Sequence, residues 1–264
     1  MKKIKYLFAG VLFTACTTVP LTNRTQLAII PSSEMLSLST SNYSQVLSQS
    51  TLSSNASYRQ SVSRVGQRIA QAVETYLTQI GRQSLLDGYQ WEFNVIESEE
   101  MNAWCMPGGK IAFYEGIMPI CQDDNGIAVV MAHEIAHAVA KHSNERMTQQ
   151  LGLQMGGMAL SQALSEQKEM TQNIAMAAFG VGSQLGVTLP FSRSHETEAD
   201  ELGLYFMAMA GYNPTEAPKF WERMMAAGSS DVPEFLSTHP NPANRIQHMN
   251  EIMPKALEFY QNEK

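Results

Sequence analysis

The chain has 264 residues, 44% of them hydrophobic and 16% charged, with a formal net charge of −7. That length and apolar content support one sizeable core. Three of the 18 basic residues fall in the first 16 positions, and no basic run remains beyond them to neutralise phosphates, which excludes a general nucleic-acid binder.

The N-terminus reads MKKIKYLFAGVLFTAC. Lys2, Lys3 and Lys5 precede an apolar run from Tyr6 to Phe13. The run is too short for a stable membrane span and has the layout of an export signal over residues 1–16. Phe13-Thr14-Ala15-Cys16 resembles a bacterial lipobox, which implies lipidation of Cys16. Thr17 follows where Asp would favour the inner membrane, so the resemblance implies the periplasmic face of the outer membrane. Residues 17–53, rich in Ser, Thr, Asn and Gln, read as a flexible tether between a lipid anchor and a folded body over 54–264.

Val62, Val65, Ile69, Ala72, Tyr76 and Ile80 recur at helical spacing, and Gly81 fits the helix end. WEFNVI (91–96) reads as a strand, and a Pro-Gly-Gly turn at 107–109 joins two short extended runs into a hairpin. Asp123 or Asp124 caps the next helix, which carries HEIAH at 133–137. Residues 145–187 are rich in Met, Ala and Gly, but Gln149, Gln154, Glu166, Lys168 and Glu169 interrupt them. They read as soluble helices without an 18-residue apolar run, and their composition suits a mobile cover. A helix over Ser192–Met209 follows, and two more start at Asn213-Pro214 and Asn241-Pro242. The fold class is therefore α+β, mostly helical, with a small β-sheet and hairpin. In an exported chain Cys105 and Cys121 allow one disulfide, or else two buried thiols.

On a helix, His133 and His137 project from one side, as two zinc ligands must. Glu134 sits about 100° round from His133, placed to take a proton from water at the metal rather than to bind it. The flanking IAVVMAHEIAHAVA is apolar on every other face, so this helix is buried, and buried ionisable groups need a partner or a metal. His142 lies five residues beyond His137, about 140° round a continuous helix, and reads as a solvated helix-end residue. The third ligand falls in SRSHETEAD (192–200). There Glu196, Ala199, Asp200 and Gly203 share one helical stripe, while Glu198, Glu201 and Tyr205 fall on the opposite, water-facing side. Glu196 would bind zinc, Asp200 would accept a hydrogen bond from a ligand histidine, and Gly203 would let the helix approach HEIAH.

HEIAH followed by SRxxExxAD, with NAWCMPGGKIAFYEG before and STHPNPANRI after, resembles zinc metallopeptidase family forty-eight, the CAAX prenyl protease, HtpX and Oma type, over roughly 55–253. The soluble, lipid-anchored bacterial members are the most similar in layout. The resemblance implies a gluzincin-like core and one zinc per chain held by His133, His137 and Glu196, with Glu134 as the base. It implies an edge strand at Asn102, Ala103 and Trp104 that pairs with an extended substrate. It places His239 near the zinc, as a donor to the developing oxyanion or as a resting-state ligand that blocks water. Arg193 and Arg245 are expected in buried ion pairs. The function implied is a membrane-tethered endopeptidase acting on unfolded or misassembled envelope proteins. The alternative is a zinc-containing chaperone or binding protein with little or self-inhibited proteolysis.

Overall fold

The computed structural model describes residues 16–227, 234–239 and 242–262. The body of the export signal, the lipidation at the Cys16 side chain and the Asn241 cap lie outside the described residues. In chain order the elements are β1 (Cys16–Thr18), β2 (Thr25–Leu27), α1 (Ser32–Gln49), α2 (Ala56–Gln79), β3 (Glu92–Ile96), β4 (Ala103–Met106), β5 (Lys110–Tyr114) and α3 (Met118–Cys121). Then follow α4 (Asp124–Val139), α5 (His142–Ala163), α6 (Glu169–Ser183), α7 (Leu189–Met209), α8 (Glu216–Ala227), α9 (Glu234–Thr238) and α10 (Pro242–Asn262). The described residues are mostly helical with two small sheets.

The apolar stripe of α2 buries Val62, Val65, Ile69, Val73 and Leu77. Asn55 caps its start by accepting from the Tyr58 N–H, and Gly81 beyond its end takes φ 68°. The larger sheet has the order β3-β5-β4, with β3 parallel and β4 antiparallel to the central β5. Gly108 and Gly109, at φ 87° and 77°, make the hairpin turn that a side chain would resist.

Asp123 caps α4 by accepting from the Asn125 and Gly126 N–H groups, and every residue from Gly126 to Val139 is buried. Helix α7 crosses it at Gly203. A Cβ there would stand 3.1 Å from the His133 nitrogen and 3.2 Å from its Cα, so the close approach favours glycine. Phe220, Trp221 and Met224 of α8 close the core beside them.

Residues 17–53 are not a loose tether over their described length. Strands β1 and β2 pair, and α1 buries Met35, Ser39 and Tyr43. The Tyr43 hydroxyl donates to the Ile111 carbonyl at 3.2 Å, and Ser39 donates to the Pro107 carbonyl, which fixes α1 to the hairpin. Most other polar side chains of α1 stay exposed, on its outer face.

Two smaller corrections follow, and of the two cysteine alternatives the structure shows the thiols. Residues 170–192 carry no charged side chain, and the helix Glu169–Met209 contains an 18-residue window of mean hydropathy 1.4 with none of it buried. An apolar run of that length therefore exists where the earlier polar residues had suggested none. Helix α7 begins at Leu189 rather than Ser192, running on from a π-helical turn at Gln184–Thr188. Cys105 and Cys121 are free thiols on separate elements, β4 and α3, and burial raises both far above the ordinary thiol range.

Candidate metal centre

Helix α4 presents His133 and His137 one turn apart, α7 brings in Glu196, and the residue after α9 brings in His239. One donor atom from each of these four residues falls within 4.8 Å of the others. The first three stand close together: His133 Nε2 to His137 Nε2 is 3.1 Å, and the Glu196 carboxylate straddles the pair, with Oε2 3.4 Å from His133 Nε2 and Oε1 3.5 Å from His137 Nε2. Zinc bonds of 2.0–2.2 Å in a tetrahedron put ligand atoms roughly 3.3–3.5 Å apart, so the donor set fits that ion. Glu196 Oε1 is buried with no hydrogen-bond partner, which a cation would satisfy.

His133 is held from behind. Its Nδ1 lies 3.1 Å from Asp200 Oδ1, which fixes the tautomer that leaves Nε2 free as a donor. Arg245 grips both Asp200 oxygens at 2.6 Å, donates to the His239 carbonyl at 3.1 Å, and lies with its guanidinium carbon 3.8 Å from the centre of the Trp221 ring. Burial alone would raise Asp200, but Arg245 and then His133 outweigh it and hold the carboxyl below its ordinary range. Burial would lower His133, and the Asp200 and Glu196 carboxylates outweigh it, raising the ring to about 9. His137 goes the other way: burial dominates and keeps it well below an ordinary histidine, hence neutral. Arg193, expected in a buried pair, is exposed instead.

Glu134 projects beside the donors, and its Oε1 is buried without a hydrogen-bond partner. Burial lifts it above the ordinary glutamate range against the pull of His239 and His133. A raised carboxyl is a better proton acceptor at neutral pH than an ordinary one. His239 stands between base and donors: Nδ1 is 2.8 Å from Glu196 Oε2 and 3.1 Å from His133 Nε2, while Nε2 is 3.3 Å from Glu134 Oε1.

Strand β4 pairs with β5 on one side, and no described strand pairs its other edge. Asn102 and Ala103 lie at its start, with the Ala103 N–H donating to the Asn102 side chain at 2.9 Å. Trp104 donates to the Tyr114 hydroxyl at 3.3 Å and packs edge-on to Tyr43. A backbone hydrogen bond from Cys105 reaches Glu134, so this strand and the base share one frame.

His142 is not a solvated end residue. Lys141 takes a left-handed turn, φ 57° and ψ 32°, which breaks the helix after α4 and starts α5 at His142. The ring thus turns back: Nδ1 lies 2.8 Å from His137 Nδ1, and Nε2 lies 2.9 Å from Glu198 Oε2. Glu198 and Tyr205, expected to face water, are both buried. Arg24, from the N-terminal hairpin, bonds Glu198 at 2.8 Å and Glu145 at 2.9 Å and 3.1 Å. His195 bonds Glu145 at 2.9 Å and stacks on His142 with ring centres 4.3 Å apart. Sequence reasoning missed this second polar cluster. Its one legible sign was that SRSHETEAD carries His195 and Glu198 as well as Glu196 and Asp200.

A family profile described as Peptidase family M48 matches residues 60–253. The chain is 39% identical over 186 residues to the Saccharomyces cerevisiae protein named mitochondrial metalloendopeptidase OMA1, covering 67% of this chain and 51% of that one. It is 35% identical over 215 residues to the Schizosaccharomyces pombe protein of the same name, covering 75% and 59%. It is 28% identical over 177 residues to the Escherichia coli beta-barrel assembly-enhancing protease, covering 64% and 36%. The match to the two yeast proteins thus spans between half and three fifths of their lengths.

Proposed function

Because this chain belongs to peptidase family M48, we propose that it is a zinc-dependent endopeptidase. The observation that carries the reading is the close cluster of His133, His137 and Glu196 donors, with a buried Glu134 oxygen that lacks a hydrogen-bond partner beside it. Zinc held by those three residues would supply Lewis acidity, polarising a peptide carbonyl and making water more acidic.

The protein's own groups then have separate work. Glu134 accepts the proton of the attacking water and delivers it to the leaving nitrogen. Asp200, clamped by Arg245, keeps His133 in the tautomer with Nε2 free. The open edge of β4, at Asn102, Ala103 and Trp104, suits main-chain pairing with an extended peptide. Unfolded or misassembled proteins expose such segments and folded ones do not, which supports a role in protein quality control. His239 lies among the donors and against Glu134, so we read it as closing a resting site. Glu134, Glu196 and His239 are all under 10% exposed, which agrees with a closed form.

The proposed location is the periplasmic face of a bacterial outer membrane, with a lipid on Cys16 as the anchor. The lipobox-like FTAC, the charge-free sequence over 170–192 and the unburied 18-residue window of mean hydropathy 1.4 support a membrane nearby. The zinc-containing chaperone with self-inhibited proteolysis stays as the second reading because His239 fills the place beside the base.

The test is incubation of the full chain with a permanently unfolded protein, with zinc content measured on the same sample. About one zinc per chain, internal cleavages, and loss of both with a chelator are expected. Cleavage that survives complete zinc removal contradicts the proposal. One zinc without cleavage selects the chaperone reading.

A further inference from the structure

The N-terminal hairpin, Cys16 to Leu27, touches the polar cluster behind His137 through Thr22 and Arg24, and nothing in the peptidase reading uses it. Their packing is specific. The turn between β1 and β2 holds Leu21 and Asn23 in the left-handed region, at φ 66° and 55°, and closes with the Val19 N–H on the Arg24 carbonyl. Those conformations are uncommon without glycine, so the turn is over-determined by its surroundings. They bring two donors to one carboxylate: the Thr22 hydroxyl donates to Glu198 Oε1 at 2.5 Å, and Arg24 Nε donates to Glu198 Oε2 at 2.8 Å.

From Glu198 the bonds run inward without a gap. If Nε2 of His137 faces the metal, its proton must sit on Nδ1, because a neutral imidazole carries one N–H. That N–H can only donate to His142 Nδ1, 2.8 Å away. His142, accepting on Nδ1, then carries its proton on Nε2 and donates it to Glu198 at 2.9 Å. Each link sets the orientation of the next. His195 stacks on the His142 ring, and its own bond to Glu145 is anchored by the same Arg24, so rotation of His142 is blocked from a second side.

We propose that Thr22 and Arg24 are positioning residues of the metal centre, acting through Glu198 and His142 to fix the tautomer and ring plane of His137. His133 is oriented by Asp200 and Arg245 from within the core. His137 is oriented by a parallel chain whose outer end belongs to the N-terminal hairpin. The hairpin is therefore a structural part of the metal site rather than a spacer. This rests on the reading of His137 as a zinc ligand.

The experiment measures zinc affinity of the full chain by chelator competition, together with the visible spectrum of the cobalt(II)-loaded protein. Variants are Arg24→Met, His142→Phe, the isosteric Glu198→Gln, and Val73→Ala as a packing control. Val73 is buried in the core on α2 and takes no part in the hairpin or the chain of bonds, so Val73→Ala should lower Tm without moving either metal readout. Arg24→Met and His142→Phe should each weaken zinc binding by about 10–100-fold and shift the cobalt bands. Glu198→Gln keeps an acceptor for His142 and should fall between them and the parent. If any of the three fails to fold, the others carry the same comparison. Parent-like zinc affinity and cobalt spectrum in Arg24→Met and Glu198→Gln, with Tm lowered as in Val73→Ala, overturns the proposal. A parent that binds no zinc fails the peptidase reading instead, before any variant is compared.

Discussion

Arg245→Met is the most revealing perturbation of the centre. Arg245 is 4% exposed, makes two 2.6 Å bonds to Asp200, and lies 3.4 Å from Glu196 Oε2. Methionine keeps much of the stem that lies against Trp221 but leaves two buried carboxylates without their cation. Breaking a buried pair from one side costs about 3–5 kcal/mol, because the remaining charge stays desolvated. For a domain of this size each kcal/mol lowers Tm by roughly 2–4 °C, so the expected fall is roughly 6–20 °C. The assay is thermal unfolding with excess chelator, which removes any zinc-binding contribution from both proteins. Adding Asp200→Asn to Arg245→Met removes the stranded charge and should restore a large share of the loss. A Tm within roughly 2 °C of the parent for Arg245→Met, under about 1 kcal/mol, would refute the view that this pair is desolvated and one-sidedly costly.

Gly203→Ala pushes a methyl against the His133 backbone, so about 1–3 kcal/mol of stability should be lost and zinc affinity should drop, read by denaturant titration and chelator competition. Unchanged values would mean that α4 and α7 separate freely. Glu145 is held below the ordinary glutamate range: burial would raise it, and the bonds from His195 and Arg24 outweigh that. A depressed carboxyl stabilises the fold above its unfolded pKa and loses that contribution as pH falls through its folded value. Glu145→Gln should therefore be less stable than the parent at pH 7, with the gap closing on acidification; a gap independent of pH counts against the assignment. His239→Ala should raise turnover severalfold if the ring closes a resting site, whereas slower turnover would assign it to transition-state stabilisation.

The core of the centre was legible because it obeys local rules. A helix apolar all round except His133, Glu134 and His137 has to be buried, and Gly203 on the stripe of Glu196 and Asp200 marks a close helix crossing. The hairpin at 107–109 announced itself by Pro-Gly-Gly. The errors have two causes. Strands of three residues are too short to show a period, so residues 17–53 looked like a tether. Once that hairpin was missed, the face of α7 carrying Glu198 had nothing to cover it and was read as wet. His142 was misplaced for a second reason: a lysine in the left-handed region is uncommon, and geometry drawn on a continuous helix could not include the break at Lys141. Long-range cover and an unusual backbone turn are both set by tertiary packing, which spacing along the chain does not encode.

The central claim is that Glu134 is the base of a zinc peptidase, and one comparison tests it most directly: hydrolysis of an unfolded protein by the parent and by Glu134→Gln at matched zinc content. The account predicts about one zinc per chain in both and a loss of rate of about 10²–10⁴ in the variant. Parental turnover by zinc-loaded Glu134→Gln would contradict it.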